Sequence, residues 1–306
     1  MTRRAALPSH LSGTAFRVRD DDFHEASRSR LTASDVQRPF TGVRSVDLDL
    51  GDVLGRCRAY EPLLRPGEAF SHSTAVSLFG LPLPEQPDSV HVLAPPGATR
   101  ARGRRVAGHV AAVAIPTAFH DGLPVVAPAH AWCQLAAELT EYDLVALADA
   151  IVTGPRRGQR REAPLATLDE LGRAARAWRP RRGTAKLFSA LPRVREGAES
   201  PKETHLRLMM VDAGLPEPVP NAPVRLPSGS EVHPDLSYPE RRIALEYLGD
   251  IHRTQRRRWQ DDLRQRRALA AIGWHVVEVT ADDLGSNRAE FLREVRDLLA
   301  RTDGGH

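Results

Sequence analysis

The stretch from His233 to His252 constrains the fold and the chemistry of this chain more than any other. It holds one acid directly after a proline, Asp235, and a second acid, Glu246, eleven positions later. Residues 242–247 alternate between apolar and other side chains up to Glu246, which predicts a strand. Neighbouring strands can present side chains at a common sheet edge, and carboxylate oxygens are preferred ligands of hard divalent ions. Asp235 and Glu246 are therefore candidate ligands of one Mg²⁺ or Mn²⁺ in a phosphodiesterase.

The predicted strand that carries Glu246 has two unlike faces. Ile243, Leu245 and Tyr247 share one face, whereas Glu246 lies on the other. A carboxylate in such an apolar strand carries a desolvation penalty unless a cation or hydrogen-bond donors lie nearby. A metal ion would meet that need, and so would an ion pair with a nearby arginine such as Arg242.

Two further residues are candidates for the same site. His252 follows six residues after Glu246 and would serve as a base, a phosphate donor or a metal ligand. Glu203 completes a helix-capping box with Ser200, and Pro201 fits the first helical position between them. Because the box explains Glu203 without any chemistry, its role is open between a cap and a catalytic acid.

The last third of the chain alternates between helix and strand signals. Asp235 is expected near the end of the second strand of a hairpin. The predicted order is helix, three strands, helix, strand and helix, over residues 201–214, 224–226, 232–236, 242–247, 254–272, 274–279 and 288–299.

The first region, residues 1–155, is predicted to be an α+β domain without a catalytic cluster. Its strands are expected near residues 43–48, 89–94 and 106–115, and a helix is expected over 72–78 with a cap at Ser71. Its histidines match no compact metal motif, so each is predicted to be a packed or surface residue. They are His72, His91, His109, His120 and His130.

Arginine is distributed unevenly along the chain. Clusters occur at 156–161, 179–182 and 253–258, and such clusters suit phosphate contacts. A solvated helix face or a coding bias toward arginine would produce the same pattern. The predicted helix over 254–272 supplies the candidate contacts to nucleic acid, which are Arg256, Arg257, Arg264 and Arg266.

Composition narrows the compartment rather than the activity. The 306 residues carry a formal net charge of +4, and the chain shows neither a signal-peptide pattern nor an apolar run of spanning length. Cys57 and Cys133 fit neither a disulfide framework nor a zinc cluster, so both are predicted to be small apolar fillers. We therefore expect a cytoplasmic protein that does not enter a membrane.

Residues 196–302 resemble the PD-(D/E)XK nuclease superfamily, specifically the DUF559 group of proteins similar to the very-short-patch-repair endonuclease. The motifs that carry the resemblance are Ser200-Pro201-x-Glu203, Pro234-Asp235, Glu246 to His252, Asp262 to Arg266, and Gly273-Trp274-x-Val276. The resemblance implies a restriction-endonuclease-like α/β domain with a central mixed sheet flanked by helices. It further implies hydrolysis of DNA in repair or defence, with Mg²⁺ or Mn²⁺ as the cofactor.

The first region looks like the AbiEi-type antitoxin proteins of actinobacteria. Phe40-Thr41-Gly42-Val43-Arg44, Ser71-His72 and Leu81-Pro82 carry this likeness, which implies a protein partner from a toxin–antitoxin system. The expected organisation is an antitoxin-like domain over residues 1–155, a basic helical connection over 156–195, and a nuclease-like domain over 196–306.

Leu248 departs from the nuclease pattern. The superfamily pattern has a lysine two positions after the second acid, DUF559-like proteins often have an acid there, and this chain has Leu248. Arginine cannot act as a base at neutral pH, so Arg266 could supply only charge. Two hypotheses therefore stand: a metal-dependent DNA endonuclease that uses Asp235, Glu246 and His252, and a catalytically inactive protein that binds DNA or serves a toxin–antitoxin system.

Overall fold

The computed structural model describes residues 11–19, 30–157, 160–248 and 256–303, with backbone alone for 157, 256–263 and 302–303. The chain forms two compact units, each built from two stretches of sequence: residues 1–138 with 170–184, and residues 139–169 with 185–306. These units do not follow the boundaries expected at residues 155 and 195. The second unit begins earlier, because the helix over Glu141–Thr153 packs inside it.

Within the described ranges, the chain forms the helices and strands given below. The helices are α1 Val53–Tyr60, α2 His72–Leu78, α3 Pro128–Gln134, α4 Glu141–Thr153, α5 Leu168–Ala177, α6 Thr184–Ala190, α7 Pro201–Asp212, α8 Arg256–Ala271, α9 Ala281–Leu284 and α10 Arg288–Asp303. The strands are β1 Ala15–Arg17, β2 Val43–Ser45, β3 Ala69–Phe70, β4 Val90–Ala94, β5 Val106–Val110, β6 Thr117–His120, β7 Leu123–Val126, β8 Arg156–Arg157, β9 Arg160–Arg161, β10 Val219–Pro220, β11 Val224–Arg225, β12 Glu231–Val232, β13 Leu236–Tyr238, β14 Ile243–Tyr247 and β15 His275–Val279.

The first unit is organised around a five-stranded mixed sheet in the order β5-β4-β3-β7-β6. Strands β4 and β5 run parallel, as do β3 and β7, whereas β3–β4 and β6–β7 are antiparallel. Phe70, Val92 and Val125 on the strands are fully buried, and so is Trp132 on α3. Cys57 and Cys133 are also fully buried free thiols, which confirms that they are apolar fillers.

The second unit contains a four-stranded mixed sheet in the order β10-β13-β14-β15, covered by helices on both faces. Ile243 and Leu245 pack with α7 and α10 on one face, and Ala244 packs with Leu269 of α8 on the other. The alternation expected for β14 is therefore confirmed. None of the helices in the described ranges is both long and apolar enough to cross a bilayer.

The hairpin expected over residues 224–236 is shorter than its sequence indicates. Strands β11 and β12 form it, and β12 ends at Val232. Pro234 has no backbone N–H to donate to a ladder, so the chain leaves the hairpin there. Asp235 consequently precedes β13 in the four-stranded sheet, and does not end the second strand of the hairpin.

Candidate active site in the second unit

Asp235 lies directly before β13, at the level of Glu246 on the neighbouring strand β14. Strands β13 and β14 are antiparallel with Leu236 opposite Leu245, and one further step in this register places Asp235 opposite Glu246. Directly opposed residues of an antiparallel pair share a face, with Cβ atoms about 5 Å apart. The backbone N–H of Tyr247 donates to Asp235 Oδ2 at 2.8 Å, which fixes the first carboxylate against the second strand.

Helix α7 brings a third acid to this pair. Glu203 is 5% exposed and accepts hydrogen bonds from the Glu199 backbone N–H and the Ser200 hydroxyl, both at 2.8 Å, and from Asn221 Nδ2 at 3.3 Å. Burial, and then the negative charge of Asp235, raise the pKa of Glu203 well above its usual value. The Glu203 N–H donates to Ser200 Oγ at 3.3 Å, as expected for the helix cap. Glu203 therefore belongs to the cap and also lies near Asp235.

An open cavity of about 820 Å³ lies in front of the two strand acids. Glu203 does not line it, but Asn221 does, and Asn221 Nδ2 donates to the Glu203 carboxylate. The charged and polar lining residues are Thr153, Arg156, Arg161, Glu196, Glu199, Asn221, Glu231, His233, Asp235, Glu246 and Gln265.

Gln265 is a member of this site that the sequence reasoning missed. Its Nε2 donates to Glu246 Oε1 at 3.1 Å and to the His233 carbonyl at 3.0 Å, and so ties α8 to the second strand acid. A signal was present, because Gln265 lies four residues before the fully buried Leu269 and therefore on the inward face of α8.

Leu248 lies at the lysine position of the nuclease pattern without a polar side chain. Its backbone N–H donates to the Val279 carbonyl at 2.7 Å, which extends the pairing of β14 with β15 past Tyr247. Because the strand pairing continues at Leu248, the departure concerns its side chain and leaves the strand intact.

The arginines that are predicted to contact nucleic acid lie in different environments. Arg264 is exposed on α8, whereas Arg266 forms an ion pair with Glu278 of β15. The side chains of Arg256 and Arg257 lie outside the described residues, and so does His252. Two arginines of the 156–161 cluster, Arg156 and Arg161, both pair with Glu199, with 2.6 Å from Arg161 Nη2 to Glu199 Oε1.

The alternative that Arg242 neutralises Glu246 is not supported. Arg242 directly precedes β14, and Glu246 lies four residue steps further along the extended strand, which corresponds to about 13 Å. Arg242 is also an exposed residue with a left-handed backbone at φ 51°. Among the described contacts, Gln265 is a partner of Glu246 instead.

Three histidines that were expected to be unrelated come together in the first unit. Each of His72, His91 and His109 offers a ring nitrogen, and these atoms all lie within 4.8 Å of one another. Within the described ranges, no other three His, Cys, Asp or Glu side chains form such a group. Sequence spacing missed this cluster because the parallel pairing of β4 with β5 produces it, and that pairing is long-range.

Comparison with known proteins finds similar sequences but no activity. No family model matches the chain. An uncharacterized protein of Mycobacterium tuberculosis strain CDC 1551 / Oshkosh is 27% identical over 246 residues, covering 76% of this chain and 82% of the relative. An uncharacterized protein of strain H37Rv matches to the same extent. Since each compact unit holds about half of the chain, the similarity extends into both.

Proposed function

We propose that the second unit is a metal-dependent nuclease domain that hydrolyses phosphodiester bonds in DNA. The observation that carries this proposal is the placement of Asp235, directly before β13, opposite Glu246 of β14 beside an open cavity, with buried Glu203 near Asp235. The restriction-endonuclease-like character of the domain belongs to the same proposal.

The acids fit a hard divalent ion such as Mg²⁺ or Mn²⁺. Both strand acids offer carboxylate oxygens, which are the ligands that these ions prefer. Burial, and after it the negative charge of Asp235, raise the pKa of Glu203, so Glu203 lies close enough to Asp235 to add to the negative potential there. When bound, the ion would polarise the scissile phosphate and lower the pKa of a coordinated water.

The residues around the pair act by positioning it. The Tyr247 N–H holds the Asp235 carboxylate, and Gln265 holds that of Glu246. Glu203, held by three hydrogen-bond donors, sets the electrostatic environment of Asp235 without lining the cavity. Such neighbours of metal-binding residues typically contribute tenfold to hundredfold to affinity or activity.

A cleavage assay tests the proposal. The purified chain, with Mg²⁺ or Mn²⁺, is incubated with supercoiled plasmid and with mismatched, branched and single-stranded DNA. Cleavage of at least one substrate is expected, and Asp235→Asn and Glu246→Gln should each lower its rate by at least about a hundredfold, since metal ligands contribute several kcal/mol to such reactions. Gln265→Ala should lower it by about tenfold.

Glu240→Gln is the matched control, because Glu240 is an exposed acid between the same two strands and does not line the cavity. It should cut at the wild-type rate. Equal cleavage by the wild type and both strand-acid variants would contradict the proposal, as would no cleavage with either ion on any of the four substrates.

Leu248 favours a second candidate function, in which the domain binds DNA without cutting it. A lysine that the nuclease pattern expects is replaced by an aliphatic side chain, while the exposed Arg264 and the arginine-rich α8 remain suited to phosphates. This function would give DNA binding that weakens steeply with salt and is unchanged by EDTA or by loss of both strand acids. Binding that requires Mg²⁺ and Asp235 would argue against it.

A further inference from the structure

His72, His91 and His109 come from three different elements of the first unit. His72 begins α2, His91 lies in β4 and His109 in β5. In the parallel pair, Leu93 lies opposite His109, and His91 is two residues before Leu93. Residues two apart on a strand share a face, so His91 and His109 project from the same face of the sheet.

The ring nitrogens lie close together, and one pair of them is near the spacing of two metal ligands. His91 Nδ1 and His109 Nε2 are 3.1 Å apart. Two nitrogens bound tetrahedrally to one Zn²⁺ at about 2.0–2.1 Å lie about 3.4 Å from each other. The His72 ring stacks on that of His109 with 3.7 Å between the centroids. All three rings are partly buried. Rotation of the rings within this cluster would direct one nitrogen atom of each toward a shared metal ion.

The backbone of His72 is in a strained conformation. His72 has a left-handed backbone with φ 51°, which is uncommon for a residue other than glycine. Its N–H donates to the side-chain oxygen of Gln134 at 2.9 Å, and Gln134 is 5% exposed. Strained backbone of this kind persists where the surroundings fix it, and it concentrates at functional sites.

Burial also affects the pKa values of the three rings. Burial, followed by the charges of neighbouring histidines, lowers the pKa of His72 to about 3 and that of His91 to about 4. Burial and Arg100 also lower the pKa of His109. These shifts follow from the burial of the three rings and from their close approach to one another and to Arg100.

We propose that His72, His91 and His109 form a three-histidine site for a divalent transition-metal ion such as Zn²⁺. Imidazole nitrogens suit zinc, whereas the carboxylate oxygens of the second unit suit Mg²⁺ or Mn²⁺. His72 and His109 also line a cavity of about 550 Å³ together with Arg100 and Arg181. A fourth coordination position would face this cavity, where the two guanidinium groups complement an anionic ligand such as a carboxylate or a phosphate.

Zinc titration of the untagged, EDTA-treated full chain tests the site. Calorimetry should give one Zn²⁺ per chain at this site, and zinc should raise the melting temperature. The Asp235→Asn/Glu246→Gln double variant should retain that binding, which separates this proposal from the nuclease proposal. His72→Ala, His91→Ala and His109→Ala should each weaken it by at least about tenfold, a loss that removal of even a supporting neighbour can cause. His120→Ala, in the same unit but outside the cluster, should match the wild type.

X-ray absorption of the zinc-loaded wild type gives an answer that does not depend on how the variants fold. Three imidazole nitrogens at about 2.0–2.1 Å are expected around the ion. No zinc binding, zinc without imidazole neighbours, or equal affinity in the triple histidine variant would overturn the proposal. Binding of inorganic phosphate to a wild type that takes up no zinc would also overturn it, and would mark the cavity as an anion site.

Discussion

Glu203 combines two roles that its sequence context leaves as alternatives. As the N3 residue of α7 it accepts hydrogen bonds at the start of the helix, and as a buried acid it lies close enough to Asp235 to feel its charge. The capping box was readable because its residues are three positions apart. The proximity to Asp235 could not be predicted in this way, because it joins residues more than thirty positions apart and depends on how β13 packs near α7.

The raised pKa of Glu203 makes its contribution to stability depend on pH. The folded state holds the proton to a higher pH than the unfolded state does, so this contribution is fully present below the unfolded pKa of about 4.3 and is lost as pH rises through the folded pKa. The unfolding free energy of the wild type relative to Glu203→Gln should therefore fall with rising pH, by up to about 1.4 kcal/mol per pH unit within that window. Urea unfolding of both proteins in EDTA at several pH values measures this difference. A difference that stays constant or rises with pH would contradict the assignment.

The two cysteines are predicted to be unreactive while the chain is folded. Cys57 and Cys133 are both 0% exposed, and burial raises the pKa of each thiol to about 12, so neither forms appreciable thiolate at pH 8. A colorimetric thiol reagent should label neither residue in native buffer and both in denaturant. Fast labelling of one thiol in native buffer would show that its surroundings open readily.

Helices α4 and α7 are joined by a buried ion pair, Asp149–Arg207. Both side chains are 1% exposed, with 2.9 Å between Arg207 Nη2 and Asp149 Oδ2. Asp149 also accepts from the Thr204 hydroxyl at 2.8 Å, and Arg207 Nη1 pairs with Glu217 at 2.7 Å. This network explains why α4 belongs to the second unit, although its apolar sequence alone suggests the end of the first.

Breaking this pair on one side should be costly. Arg207→Met leaves the Asp149 carboxylate buried without its cation, and Asp149→Leu leaves the guanidinium without one of its acids, so each change should cost about 3–5 kcal/mol of unfolding free energy. The double variant should lose less than the sum of the two, because neither charge is then left alone. Urea denaturation of the three variants tests this, and strictly additive losses would mean that the pair is not coupled.

Local sequence signals predict individual helices and strands well, whereas they do not predict features that depend on long-range contacts. The cap at Ser200 and the alternation of residues 243–247 gave α7 and β14 correctly, because each depends on neighbours in sequence. The histidine cluster and Gln265 were missed, because each depends on contacts between separate elements. For the same reason, the sequence does not predict that each of the two compact units is built from two separate stretches of the chain.

At the scale of the whole molecule, the interleaving of the two units predicts which fragments fold. A fragment of residues 196–306 contains the four-stranded sheet and α7, but it lacks α4 and with it Asp149, so Arg207 keeps Glu217 and loses its buried partner. We expect this fragment to be less stable than residues 139–306 by at least the 3–5 kcal/mol of a broken buried pair, which is a large part of the stability of a small domain. Circular dichroism and urea unfolding of both fragments measure the difference.

Adding Arg207→Met to each fragment is the matched control, and it should destabilise 139–306 strongly and 196–306 much less. Equal stability of the two unmodified fragments would mean that a stable domain begins where the sequence motifs begin, and that α4 is dispensable to it.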